Sequence, residues 1–141
     1  MKQPKDKIFH LKEAEINAAL NQEYRQYFIG DLKKPQILNY IEQGDFEIGT
    51  SLYQTAKADV PHMHDQTSEI LYILQGTYKI FIMDIMQEYT LNKGDFFVLP
   101  PRTAYASKAL AQTQVLFVKT GGNDKLAVSI PPEVQRWMEC D

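Results

Sequence analysis

The feature that most constrains this chain is a succession of short runs of branched and aromatic residues, cut at regular intervals by turn formers. The runs cover residues 36–40, 46–53, 69–74, 77–83, 88–91, 96–99, 104–108 and 115–119, with punctuation at Gly76, Asn92-Lys93-Gly94 and Pro100-Pro101. Side chains of this kind fit a pleated, half-buried surface, so each run reads as a strand. Many short strands at even spacing imply an all-β sandwich or small barrel. A chain of 141 residues suits one core, since at that length roughly 68–70% of the unfolded surface can be buried. No repeat, low-complexity segment or linker divides it, so residues 1–141 read as a single domain with the barrel over about 36–120.

The two ends follow a different period. Between Lys12 and Tyr27 the apolar positions Ile16, Ala19, Leu20, Tyr24 and Tyr27 recur at spacings of three and four, which predicts one amphipathic helix closed by Gly30. This makes a helical preface of about residues 1–30. At the other end Pro131-Pro132-Glu133 opens a second, short helix over about 131–139, with Val134, Trp137 and Met138 on one face to pack across the barrel. A net charge of −3 with no basic stripe argues against a nucleic-acid partner. The first residues lead into no apolar signal region and no run approaches the roughly 20 residues that span a bilayer. The expectation is a cytoplasmic protein with no membrane partner. Cys140, the only cysteine, is read as an incidental thiol, and His10, between Phe9 and Leu11, as structural.

Chemistry concentrates at Pro61-His62-Met63-His64-Asp65-Gln66-Thr67-Ser68-Glu69. Two histidines one residue apart project from the same face of a strand, because side chains alternate with period two. Glu69 is out of phase with them. The turn formers 65–68 must therefore break the strand and reset the phase, so that the carboxylate arrives from the next strand. Two imidazoles and a carboxylate suit a divalent metal and leave coordination positions open.

The run His62, one residue, His64, four residues, Glu69, six residues, Gly76 resembles the first motif of the cupin superfamily, and Gly94-Asp95-Phe96-Phe97-Val98-Leu99-Pro100 resembles the second. The resemblance covers about residues 56–107. It implies a double-stranded β-helix, a jelly-roll barrel, with a metal site of His62, His64 and Glu69. Three positions depart from the pattern. Ala56 stands where the family's first glycine is expected, and Arg102 and Tyr105 stand where the second motif has a glycine and a fourth ligand, histidine. Three arrangements stay open: a metal on the three residues alone, a metal with Tyr105 as a weak fourth ligand, or direct binding of substrate by these side chains. The metal is Fe, Zn, Mn or Ni, the triad being also that of non-haem Fe(II) oxygenases.

Candidate catalytic groups are Glu69 and Tyr105, the latter as a general acid or base with its pKa lowered by the metal or by Arg102. Candidate substrate-binding groups are Arg102, able to clamp an anion, and Lys119 and Lys125, the two lysines of the polar loop Lys119-Thr120-Gly121-Gly122-Asn123-Asp124-Lys125. The functional expectation is a metal-dependent enzyme acting on an oxygenated small molecule of sugar or sugar-nucleotide type, by isomerisation or epimerisation. The alternatives are an Fe(II) dioxygenase on the same triad and a non-catalytic ligand-binding module. Resemblance to small cupins further implies a homodimer.

Overall fold

Hydrogen-bonded pairing collects twelve strands into two sheets in the computed structural model, which describes residues 2–4, 6–121 and 124–140. The strands are β1 (Lys2–Gln3), β2 (Arg25–Gly30), β3 (Tyr40–Glu42), β4 (Phe46–Tyr53), β5 (Lys57–His64), β6 (Glu69–Gln75), β7 (Thr77–Ile82), β8 (Gln87–Asn92), β9 (Phe96–Leu99), β10 (Tyr105–Ala109), β11 (Thr113–Thr120) and β12 (Lys125–Ala127). A seven-stranded sheet runs β1-β3-β2-β4-β11-β6-β9, and a five-stranded sheet runs β12-β5-β10-β7-β8. Their inner faces meet in one apolar cluster, with Tyr53, Leu71, Ile73, Val115 and Phe117 from the first and Tyr78, Ile80, Ile82, Leu91 and Tyr105 from the second. This is the expected jelly-roll arrangement, and alternation along β11 illustrates its cause: Thr113, Val115, Phe117 and Lys119 are buried while their neighbours are not.

Both predicted helices form, but the first is shorter than its periodicity implies. Helix α1 (Glu13–Gln22) buries Ala19 and Leu20 and ends at Glu23, whose backbone is extended. Tyr24 and Tyr27 continue the helical spacing yet lie outside the helix. Residues 25–30 instead pair antiparallel with β4, Arg25 opposite Ser51 and Tyr27 opposite Gly49. Sheet pairing over a buried face outweighs a local helical pattern here. The run expected as a strand at 36–40 is also displaced, with β3 starting only at Tyr40. Gln36 serves β2 through its side chain, its amide oxygen accepting from the Tyr27 N–H at 2.9 Å and its amide nitrogen donating to the Tyr27 carbonyl at 2.7 Å. These bonds satisfy backbone groups next to the register shift between Tyr27 and Ile29. Strands β1 and β12 carried no recognisable pattern in the sequence.

Helix α2 (Pro132–Glu139) starts on a proline, whose missing N–H costs nothing at that position, and buries Val134. It covers the outer face of β10. Lys108 reaches across from that strand, donating to the carbonyls of Trp137 and Cys140, and Trp137 Nε1 donates to Glu88. All five residues of β10 are buried in consequence. No helix among the described residues is long and apolar enough to cross a membrane.

Gly76 turns β6 into β7 with φ +80°, and a Cβ there would lie 2.4 Å from Thr113 Oγ1 and 2.6 Å from Thr113 Cα. Gly94 has φ +89° but open space around it. Gly76→Ala combines left-handed strain with overlap against backbone and is expected to cost about 3 kcal/mol. Gly94→Ala carries the strain alone, about 1 kcal/mol. Urea denaturation of both variants checks the ordering.

Candidate metal and ligand site

Strand register brings the site together. On β5, His62 and His64 share the buried face. The turn at 65–68 resets the phase, and β6 begins at Glu69 with residues 69, 71 and 73 buried. Tyr105 lies opposite His62 across the β5–β10 pair, and Lys119 lies opposite Glu69 across the β11–β6 pair. One ligand atom from each of His62, His64 and Glu69 falls within 4.8 Å of the others. All three residues are buried.

The outer nitrogens of both rings are already committed. His62 Nδ1 lies 2.9 Å from the Val60 carbonyl, which can only accept, so the neutral ring carries its proton on Nδ1. His64 Nδ1 lies 3.3 Å from Asp124 Oδ1. Each ring therefore presents Nε2 with its lone pair towards Glu69. His64 Nε2 sits 3.3 Å from Glu69 Oε1 but outside hydrogen-bonding geometry, and is a buried nitrogen with no hydrogen-bond partner. A ring held by an oxygen acceptor on one nitrogen and open on the other is the usual arrangement around a bound metal. The donor set thus fits a divalent ion, with neutral imidazole and carboxylate suiting Fe, Zn, Mn or Ni alike.

Tyr105 closes the group. Its hydroxyl lies 2.7 Å from Glu69 Oε1 and 2.8 Å from His62 Nε2, two acceptors that share its one proton. Burial, together with the Glu69 charge, pushes this hydroxyl well above the ordinary phenol value. The shift is opposite to the lowered value expected for a general base, and it suits a neutral proton donor. Burial alone would raise the Glu69 carboxyl. The two imidazoles close to it, the hydrogen bond from Tyr105 and the charge of Lys119 outweigh it and hold the carboxyl well below the usual range.

A cavity of about 180 Å³ opens beside the triad. His62, Glu69 and Tyr105 line it, and so do Lys119 and Lys125 from the expected substrate-binding set. Lys119 and Thr120 belong to β11 and Lys125 begins β12, so the polar loop is shorter than the sequence implied; its Gly122 and Asn123 lie outside the described residues. Arg102 is not in the cavity. It is exposed in the turn before β10, its Nε 3.3 Å from Asp65 Oδ1, so it neither clamps a ligand there nor acts on Tyr105. His10 is exposed and also outside the cavity.

Three participants were not legible in the sequence. Asp124, inside a loop of turn formers, carried no sign that it would orient His64. Arg25 was assigned to a helix and instead lines the cavity from β2. Asp59 has the wrong parity to face inwards with His62. A register shift lets two residues of β10, Tyr105 and Ser107, face His62 and Asp59 on β5, and turns Asp59 into the cavity. There Tyr53, Tyr78 and Ser107 donate to its Oδ2 at 3.0, 3.0 and 3.3 Å.

Comparison with known proteins agrees with this fold. A family model described as a cupin domain matches residues 50–119. No protein of curated function matches the sequence. Among solved structures, KdgF from a Halomonas species superposes with a TM-score of 0.55 at 20% identity, covering 71% of this chain and 79% of that one. An RmlC-like cupin from Shewanella frigidimarina gives 0.52 at 14% identity, covering 71% and 77%. A conserved protein of unknown function from Streptococcus pyogenes gives 0.51 at 20%, covering 60% and 71%. At these identities the likeness is one of fold.

Because the folded Glu69 carboxyl is depressed, the stability it contributes is fully present above its unfolded value near 4.5 and is lost as pH falls below it. In metal-free protein, stability between pH 6 and pH 3 is expected to fall more steeply for the wild type than for Glu69→Gln. Denaturant midpoints measured across that range in chelator read the difference.

Proposed function

The chain belongs to the cupin superfamily, and on that premise we propose that it is a metal-dependent enzyme acting on a small oxygenated molecule, with isomerase- or epimerase-like chemistry. The observation that carries this reading is the pair of imidazoles whose Nδ1 atoms are held by Val60 and Asp124 while their Nε2 atoms face Glu69. His62, His64 and Glu69 would hold the ion. When bound, it polarises a carbonyl or hydroxyl oxygen of the substrate.

The residues around that site support such chemistry. Tyr105 keeps a proton on its hydroxyl beside the ligand atoms and can deliver it to an adjacent oxygen. Asp59, on the same strand as His62 and ringed by hydroxyls, offers an acceptor for a substrate hydroxyl group. A volume near 180 Å³ equals ~6 water volumes at ~30 Å³ each. It accommodates a sugar-sized fragment, and the nucleotide of a sugar nucleotide would lie outside.

Homodimer formation is part of the proposal. Ile70 pairs with Val98 and Tyr72 with Phe96 on the outer side of β6 and β9, and Tyr72, Leu74, Phe96 and Val98 are exposed. An apolar ladder at a sheet edge supports association with a second copy. Light scattering after size exclusion is expected to give the mass of two chains, and Phe96→Glu that of one.

Metal content of protein purified without added metal or chelator tests the site. His62→Ala and Glu69→Ala are expected to lose the ion, and Asp124→Ala to bind it 10–100-fold more weakly through the loosened His64 ring. Equal content in all of these proteins would sink the proposal.

A further inference from the structure

Of the four cations that line the cavity, Arg25, Lys57, Lys119 and Lys125, two belong to strands of the seven-stranded sheet. Arg25 enters from β2 and Lys119 from β11, and both line it. Neither meets a carboxylate at ion-pairing distance among the described residues. Lys119 is only 7% exposed, and its ammonium makes no hydrogen bond among the described residues. Lysines are seldom so buried without a partner, because removing the charge from water is costly. Burial accordingly lowers the Lys119 ammonium below its ordinary value, against the raising influence of Glu69.

Both cations are held in place by groups that leave their charge uncancelled. Arg25 Nε donates to Ser51 Oγ at 2.9 Å, and its guanidinium lies 5.3 Å from the ring centres of both Tyr24 and Phe117. Lys119 Nζ lies 5.4 Å from the same Phe117 ring. That ring can occupy this position because Gly49 faces it from β4; a Cβ at Gly49 would come within 2.6 Å of Phe117 Cζ. A single aromatic platform therefore carries two cations directed at one space, and both are oriented in advance of any ligand.

We propose that Arg25 and Lys119 form an anion clamp that binds the carboxylate of a small hydroxy or oxo acid inside the cavity. The charge balance favours an anion. Arg25, Lys57, Lys119 and Lys125 line the cavity against only Asp59 and Glu69, a formal excess of two positive charges, and the divalent ion placed on the triad, on which this part of the inference rests, would add two more. The choice of carboxylate over phosphate follows from the walls. Phosphate sites are built largely from free backbone N–H groups at helix N-termini or nests. The first turns of α1 and α2 contribute nothing to this lining, and most of it comes from strands whose backbone groups serve the sheets. An arginine fork and a lysine suit a planar carboxylate. The hydroxyl-ringed Asp59 across the cavity adds recognition of a ligand hydroxyl.

Calorimetric titration with glycolate, acetate and inorganic phosphate tests the clamp, on wild-type protein as purified and on Lys119→Met and Arg25→Gln, with metal content measured for each. Glycolate is expected to bind the wild type, and at least tenfold more weakly to either variant at unchanged metal content. Equal glycolate affinity in wild type and variants overturns the clamp, as does wild-type protein that ignores both glycolate and acetate. Phosphate binding more tightly than either carboxylate overturns the assignment of ligand class. Protein that binds glycolate through these two residues but holds no metal overturns the metal reading and leaves the clamp standing. Metal-loaded protein that ignores glycolate does the reverse.

Discussion

A carboxylate buried between two sheets imposes demands on everything around it, and Glu69 is that carboxylate. Its charge would be costly in an apolar interior without donors and cations to offset the loss of water. Tyr105 donates to it, the two imidazole Nε2 atoms face it, and Lys119 stands opposite it on the neighbouring strand. These partners come from β5, β10 and β11, so the group ties the five-stranded sheet to the seven-stranded one. The same convergence that stabilises the charge supplies the ligand set for a metal.

The cavity beside it is organised by a division of labour between its walls. One side carries Asp59 with three hydroxyls turned towards it, a satisfied polar network. The other carries Arg25 and Lys119 on Phe117, oriented but in no ion pair at contact distance among the described residues. A protein selected for stability alone would neutralise or remove such charges.

Irregularities in the strands do much of the positioning. The register shift in β5 brings Asp59 inwards although its parity opposes that of His62. The turn before β10 keeps a left-handed residue, with Arg102 at φ +63° and its N–H donating to the His64 carbonyl at 2.6 Å. Glycine is the usual occupant of such a conformation. Arg102 thus takes a glycine-like conformation at the position where the resemblance expects a glycine, and three residues later Tyr105 enters β10 opposite His62.

Much of this molecule was written in local patterns. The runs that became β4, β6, β7, β8, β9 and β11 are hydrophobic alternations bounded by turn residues, and such signals survive without knowledge of the neighbours. The spacing of His62, His64 and Glu69 likewise carried its own phase argument, because turn formers between them could only mean a change of strand. What tertiary structure decided was everything that depends on a partner distant in sequence. Arg25 and Tyr27 left the helical pattern because β4 offered them a buried edge; Asp59 turned inwards because β10 imposed a bulge; Asp124 acquired a role because folding carried it to His64. Arg102, promising in the sequence, faces solvent, while Arg25, overlooked there, faces the cavity. Side-chain type and period are properties of a short segment, whereas register, burial and the field at a charged group belong to the assembled sheets, and the candidate chemistry of this protein resides in the latter.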